Sequence, residues 1–341
     1  PPAHPPSPPP HPRPQHTPRP PPHRPHRAEA PEPPDALADH GDTTNDCADP
    51  DDPAEEHYGR VPARWKTTSA HRPIQIHTKF VPDLQALPTL TKADVERVVD
   101  RSLRRLGVER LDLVQFFWWD PKVPGFEQAG VWLDELRSAG KIRQLAVTNL
   151  SVERCRRLRD AGVELVSDQV QYSVLDRRPE RTLVPYAQEE KMALLCYGGL
   201  AGGFLTDRWL GKTEPEGLTL NRSLVKYGLI IAELGGWEAH QRLLSLLREI
   251  ADQHGVDVAA VAVRFVLDQP GVAAVVTGAS AARQAASTLR AFEVELAEAD
   301  HARIRDAVGG GYGPPGDVYD LEGDRTGRHG RIMKYGLQHG A

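Results

Sequence analysis

From Ile74 onward, apolar and polar positions fall into two rhythms that alternate along the chain. Short apolar runs predict strands over residues 74–79 (IQIHTK), 111–117 (LDLVQFF), 142–147, 165–171, 192–197 and 272–277. Between them, apolar residues spaced three and four apart predict helices over 92–106, 126–139, 179–190, 238–254, 258–268, 281–290 and 297–308. Gly140-Lys141 stops one of these helices; Ser151, with Glu153 in the first turn, caps another that follows the 142–147 strand. Strands alternating with helices predict a parallel sheet, and in a closed parallel barrel the C-terminal strand ends share one rim that carries the chemistry. Polar residues recur at those ends: Lys79, Asn149, Gln169 and Tyr197. The segment 204–237 breaks the rhythm and reads as a loop covering the substrate.

The pattern before Ile74 is poorer. Residues 42–48 predict one more strand, although Asn45 stands where an apolar residue would face the core. Seven strands result where a closed parallel barrel has eight, which would leave two sheet edges unpaired. Residues 1–34 hold 17 of the 31 prolines, with Arg and His between them, and are expected to be disordered or polyproline-like. They suit neither a transit peptide nor a signal peptide. The expected origin is a truncated or out-of-frame gene product, with residues 60–72 (RVPARWKTTSAHR) disturbed in the same way. The predicted organisation is 1–34 as that segment, 35–308 as the barrel and 309–341 as a Gly/Pro-rich tail. For the tail, reaching over the rim and disorder are both open.

Composition narrows the function classes. A net charge of −5 and a pI near 6.3 give no nucleic-acid footprint, and no apolar run is long enough to span a membrane. Cys47, Cys155 and Cys196 are scattered, without a C-x-x-C pattern, and are read as reduced, buried thiols of a cytoplasmic protein. The 14 histidines show no zinc-ligand spacing, so no metal site is expected. A small molecule is the expected partner; oligomeric state is open.

Several stretches together resemble the aldo-keto reductase family, from about Asp35 onward: Asn45–Asp49, 53–56 (PAEE), His77-Thr78-Lys79, 111–120 (LDLVQFFWWD), 140–149 (GKIRQLAVTN), 168–175 (DQVQYSVL), 197–205 (YGGLAGGFL) and the Gly278 region. The resemblance implies a (β/α)8 TIM barrel, here lacking the normal first strand that precedes the Asp46 segment in the family, that binds NADPH, with NADH not excluded, and reduces an aldehyde or ketone. It implies catalytic roles for Asp46 and Lys79. The family's proton-donating tyrosine and carbonyl-orienting histidine are replaced here by Asp51 and Phe117. An ionised carboxylate only accepts hydrogen bonds, and phenylalanine offers none. Such losses remove factors of ~10²–10⁴ in rate for the acid. Tyr58 is a tempting substitute but reads as a packing residue. For the cofactor, the resemblance puts Asn149 and Gln169 on the nicotinamide carboxamide, Tyr197 under the ring, and the Gly198–Gly203 backbone, with Leu200 and Gly202, beside the pyrophosphate. Gly278, Ser280 and Arg283 would sit at the adenine-phosphate end. Trp118 and Trp119 suggest an aromatic pocket wall, with core packing the alternative for Trp118. Two readings remain: an impaired NADP(H)-dependent reductase, or an inactive barrel that binds nucleotide or a protein partner.

Overall fold

A computed structural model describes residues 44–48, 54–60, 74–215, 222–278 and 282–333. Seven strands form one parallel sheet in sequence order: β1 (Thr44–Asp46), β2 (Gln75–Phe80), β3 (Leu111–Phe116), β4 (Ile142–Thr148), β5 (Ser167–Gln171), β6 (Ala193–Tyr197) and β7 (Val272–Val276). All six pairings are parallel. Residues of β3 and β5 are almost all buried, as strands covered on both faces must be. On β7, by contrast, Ala273 and Ala274 are exposed, and among the described residues no strand pairs with its outer edge or with that of β1.

The helices are α1 (Ala54–Arg60), α2 (Lys92–Leu106), α3 (Phe126–Ser138), α4 (Val152–Asp160), α5 (Leu183–Glu189), α6 (Arg222–Glu233), α7 (Gly236–His254), α8 (Val258–Leu267), α9 (Ala282–Leu289), α10 (Glu298–Ala307) and the single turn α11 (Asp320–Gly323). Local chemistry fixes their ends. At α2, the Thr91 hydroxyl accepts from the Asp94 N–H (3.3 Å) while the Asp94 carboxylate accepts from the Thr91 N–H (2.9 Å), and Gly107 closes the helix at φ 67°. Nearly every residue of α8 is buried, because its sequence VAAVAVRFVL is apolar on all sides.

The structure departs from two sequence expectations and settles a third that was open. Residues 204–237 are not simply a loop: α6 lies inside them, and Tyr227, Ile230 and Ile231 are buried at helical spacing. The helix expected over 179–190 splits into a 3-10 turn (Arg178–Glu180) and α5. Pro185 forces that split, since it fits the first turn of α5 but would clash with a carbonyl one turn back inside a longer helix. Trp118 is core rather than pocket wall: it is fully buried, and its indole N–H donates to the Val123 carbonyl (3.2 Å).

Of the two options for the tail, residues 309–333 take the ordered one and fold back onto the barrel. The segment 1–34, the expectation over 35–41, residues 61–72, Asp51, Ser280 and the Arg283 side chain lie outside the described residues.

Candidate active site

Asp46 ends β1 and Lys79 is the penultimate residue of the adjacent β2, with Asp46 opposite His77 in the β1–β2 register. Their side chains form an ion pair, and the Lys79 ammonium also donates to the Cys47 carbonyl (3.1 Å). The other carboxylate oxygen of Asp46, Oδ1, accepts from the Gln115 amide (2.8 Å) and the Gln169 amide (2.9 Å). One carboxylate therefore ties together side chains from β2, β3 and β5. Gln115 went unnoticed in the sequence, yet it faces Lys79 in the β2–β3 register and is fully buried. Its signal was available: an amide in the middle of the apolar run LDLVQFF.

Asn149 follows β4 in a left-handed conformation, φ 57°, which asparagine tolerates better than most residues. Its backbone N–H donates to the Gln169 carbonyl (3.0 Å), and its Oδ1 accepts from the Tyr197 hydroxyl (2.9 Å). Burial, then the proximity of Glu322, Tyr227 and Tyr319, pushes the Tyr197 phenol well up, so it stays a neutral donor. Below this pair lies Asp168, wholly buried, its Oδ1 without a hydrogen-bond partner among the described residues. Burial raises its carboxyl to about 8, against the opposing pull of the Leu150 N–H and the Arg154 guanidinium.

Gly198 (φ 77°) and Gly202 (φ 64°) turn the chain after β6, and Tyr227 of α6 packs into the space that their missing side chains leave. A Cβ on Gly198 would come within 2.4 Å of the Tyr227 hydroxyl, and one on Gly202 within 2.8 Å of its ring. Leu200 between them is partly buried against the core. The neighbouring Lys226 sets its ammonium 5.1 Å from the Tyr197 ring centroid and 3.7 Å from the Glu322 carboxylate. Glu322 in turn is gripped by both terminal nitrogens of Arg178 (3.0 and 3.1 Å), which also pairs with Asp176. Burial would raise the Glu322 carboxyl, but Lys226 and Arg178 hold it down to about 2.

Phe117 is buried just past β3, edge-on to Trp119 (4.9 Å) and to Tyr319 of the tail (5.3 Å). Tyr58 on α1 is partly buried against the core. Gly278, past the end of β7, is exposed, with open space where a side chain would begin. The rim thus gathers Asp46, Lys79, Gln169, Asn149, Tyr197, Leu200 and Gly202. Among the described residues, no three His, Cys, Asp or Glu side chains converge as a metal would require, and no helix is long and apolar enough to cross a membrane.

The two amides fit a nicotinamide. Asp46 only accepts, so the Gln169 NH₂ must face it and its Oε1 remains an acceptor. The Asn149 Oδ1 takes the Tyr197 hydroxyl, leaving its NH₂ as a donor. One acceptor and one donor beside a flat ring complement a primary carboxamide.

A model of the Aldo/keto reductase family matches residues 22–308, starting inside the proline-rich segment and leaving the tail outside. Over 189 residues the chain is 34% identical to Aldo-keto reductase YhdN of Bacillus subtilis, covering 55% of each protein. The chain therefore spans about half the length of that curated relative. The structure superposes on the glycerol dehydrogenase AKR11B4 from Gluconobacter oxydans with a TM-score of 0.68, at 27% identity over 83% of this chain and 85% of that one. An aldo/keto reductase from Klebsiella pneumoniae, solved in complex with NADP and acetate, superposes at 0.60 with 23% identity over 83% and 84%, which speaks for the fold alone. Seven parallel strands nearly closing a (β/α)8 barrel, and a family match over most of the sequence, make this chain a member of the aldo/keto reductase family of oxidoreductases.

Proposed function

We propose that this protein reduces an aldehyde or ketone with a nicotinamide nucleotide, NADPH by preference. The observation that carries this reading is the donor–acceptor pair of Asn149 and Gln169 beside the Tyr197 ring, held in orientation by Asp46. When bound there, the reduced nucleotide supplies hydride from its ring. The chain supplies the rest. Asn149 and Gln169 grip the carboxamide and set the angle of the ring. Tyr197, locked by its bond to Asn149, offers a flat face against which only one side of the nicotinamide can lie. Lys79 puts a positive charge at the rim, where negative charge develops on a carbonyl oxygen during reduction. Asp46 and the Cys47 carbonyl fix that ammonium in place. By the family resemblance, the Gly198–Gly203 segment would hold the pyrophosphate, and Gly278, Ser280 and Arg283 the adenine-phosphate end.

Phe117 limits the rate. It sits in an aromatic cluster and offers the carbonyl no hydrogen bond, a loss of about 10²–10³-fold where such a donor is removed. The same residue favours the second reading, a barrel that binds nucleotide without turnover. The partner in the first reading is a small carbonyl compound, and three unpaired, buried thiols suit a reducing, cytoplasmic compartment.

An NADPH titration followed by quenching of tryptophan fluorescence tests the core of the proposal. Saturable binding in the micromolar range, stronger than for NADH, is the expected result. Silence with both nucleotides would mean that the rim does not hold the cofactor.

A further inference from the structure

The tail is stitched to the rim on both sides of Tyr319. Before it, the Arg177 N–H donates to the Tyr312 carbonyl (2.8 Å) and the Thr182 hydroxyl to Asp317 (2.7 Å). After it, Glu322 is held by Arg178 and Lys226, and Arg325 reaches Asp120 (2.5 Å) just beyond Trp119. Between these anchors Tyr319 adopts φ 63°, ψ 8°, a left-handed conformation that bulky side chains rarely take. Such outliers persist where the surroundings over-determine them, and they cluster at functional sites.

That backbone turn aims the side chain at the rim. The ring stands edge-on to Phe117, centroids 5.3 Å apart and planes at 75°. Its phenol is also among the groups that act electrostatically on the Tyr197 hydroxyl. Tyr319 therefore bridges the space between the end of β3 and the platform at the end of β6. On the reading above, which this inference rests on, a substrate carbonyl would lie beside that ring, within reach of its hydroxyl. Position 51 carries a carboxylate, and Phe117 has no proton to give.

We infer that Tyr319 is the proton donor of this enzyme, a phenol delivered by the C-terminal tail rather than by a barrel strand. Hydride from the reduced nicotinamide forms the new C–H bond at the carbonyl carbon. The C=O π pair moves onto oxygen, and the Tyr319 O–H breaks to protonate it. The products are an alcohol, the oxidised nucleotide and a Tyr319 phenolate, which then takes a proton from water. The ketone or aldehyde is reduced and the nicotinamide is oxidised, with no other reagent required.

Tyr319→Phe keeps the ring against Phe117 and removes only the hydroxyl. With 4-nitrobenzaldehyde as the carbonyl probe, kcat is expected to fall by about 10²–10⁴-fold, while NADPH affinity by tryptophan quenching stays within about twofold of the parent. A second readout does not depend on turnover. In protein carrying ¹³Cζ-labelled tyrosine, the resonance that Tyr319→Phe deletes should shift when NADPH is added. Introducing Asp51→Tyr into the Tyr319→Phe protein should return part of the lost rate, showing that the variant is folded and lacks only an acid. A rate within threefold of the parent, a faster variant, or a resonance indifferent to NADPH each overturns the inference. A parent that binds NADPH but reduces no probe overturns it too, leaving the cofactor half of the proposed function standing. A parent that binds no nucleotide overturns both.

Discussion

Asp168→Asn should change how stability depends on pH. The Asp168 carboxyl is wholly buried and titrates at about 8, whereas an exposed aspartate titrates near 3.8. The unfolded chain therefore releases this proton roughly four pH units before the folded one does. A carboxyl whose folded-state value is raised gives a contribution that is complete below the unfolded value and is lost as pH rises through about 8. Across that window the loss runs at about 1.4 kcal/mol per pH unit, so roughly 6 kcal/mol disappears in all. An amide of the same shape cannot ionise. It retains an oxygen to accept from the Leu150 N–H, and its NH₂ lies near Cys155 Sγ, 4.0 Å from the present carboxylate. The assay is urea unfolding of parent and variant at half-unit steps from pH 5 to 9, read as the difference in free energy, so that other titrating groups cancel. The variant should gain on the parent by about 3 kcal/mol between pH 5 and 7.5, with the gain flattening above pH 8. A difference constant to within about 0.5 kcal/mol across the range would falsify the claim that this carboxyl is carried into the fold protonated.

Other perturbations probe the rim and the tail. Phe117→His, which restores a hydrogen-bond donor beside the carbonyl, should raise carbonyl reduction by about 10²-fold in a steady-state assay; no gain would place the defect elsewhere than in the orienting group. Glu322→Gln leaves the buried Lys226 without its ion-pair partner and Arg178 with Asp176 alone, and should cost about 3–5 kcal/mol in chemical denaturation. Since this carboxyl is held near 2 instead of 4.5, its stabilisation is complete above the unfolded value and is lost as pH falls towards 2, a slope that the variant should lack. Gly198→Ala meets both a positive φ and the Tyr227 hydroxyl at 2.4 Å. It should destabilise by about 1–3 kcal/mol and loosen NADPH binding; a variant as stable as the parent would show that α6 does not pack tightly there.

Much of the barrel was legible because its strands and helices are encoded locally. Apolar runs bounded by Gly, Pro and polar residues gave β2 to β7 to within two residues at each end. Lys79, Asn149, Gln169 and Tyr197 stood out because polar side chains at the ends of buried strands need a reason to be there. Other features were hidden for physical reasons. Residues 224, 227, 230 and 231 share one face of α6, yet lysines, glycines and a loop-like approach masked the period within 204–237. Pro185 ends one helix and suits the start of another, so its spacing alone did not locate the break near Thr182.

The sequence by itself determined the alternation of elements, hence the parallel sheet, and which side chains each strand carries to the rim. These depend on neighbours within one turn of helix or a few residues of strand. Only the tertiary structure decided which of those side chains meet. Asp46 gathers Lys79, Gln115 and Gln169 from positions 33 to 123 residues away, and Glu322 binds Arg178 across 144. Contacts at such separations leave no periodic trace in the chain. They arise because a nearly closed sheet brings distant strand ends onto one rim, and because a buried charge must find its partner wherever the fold places it.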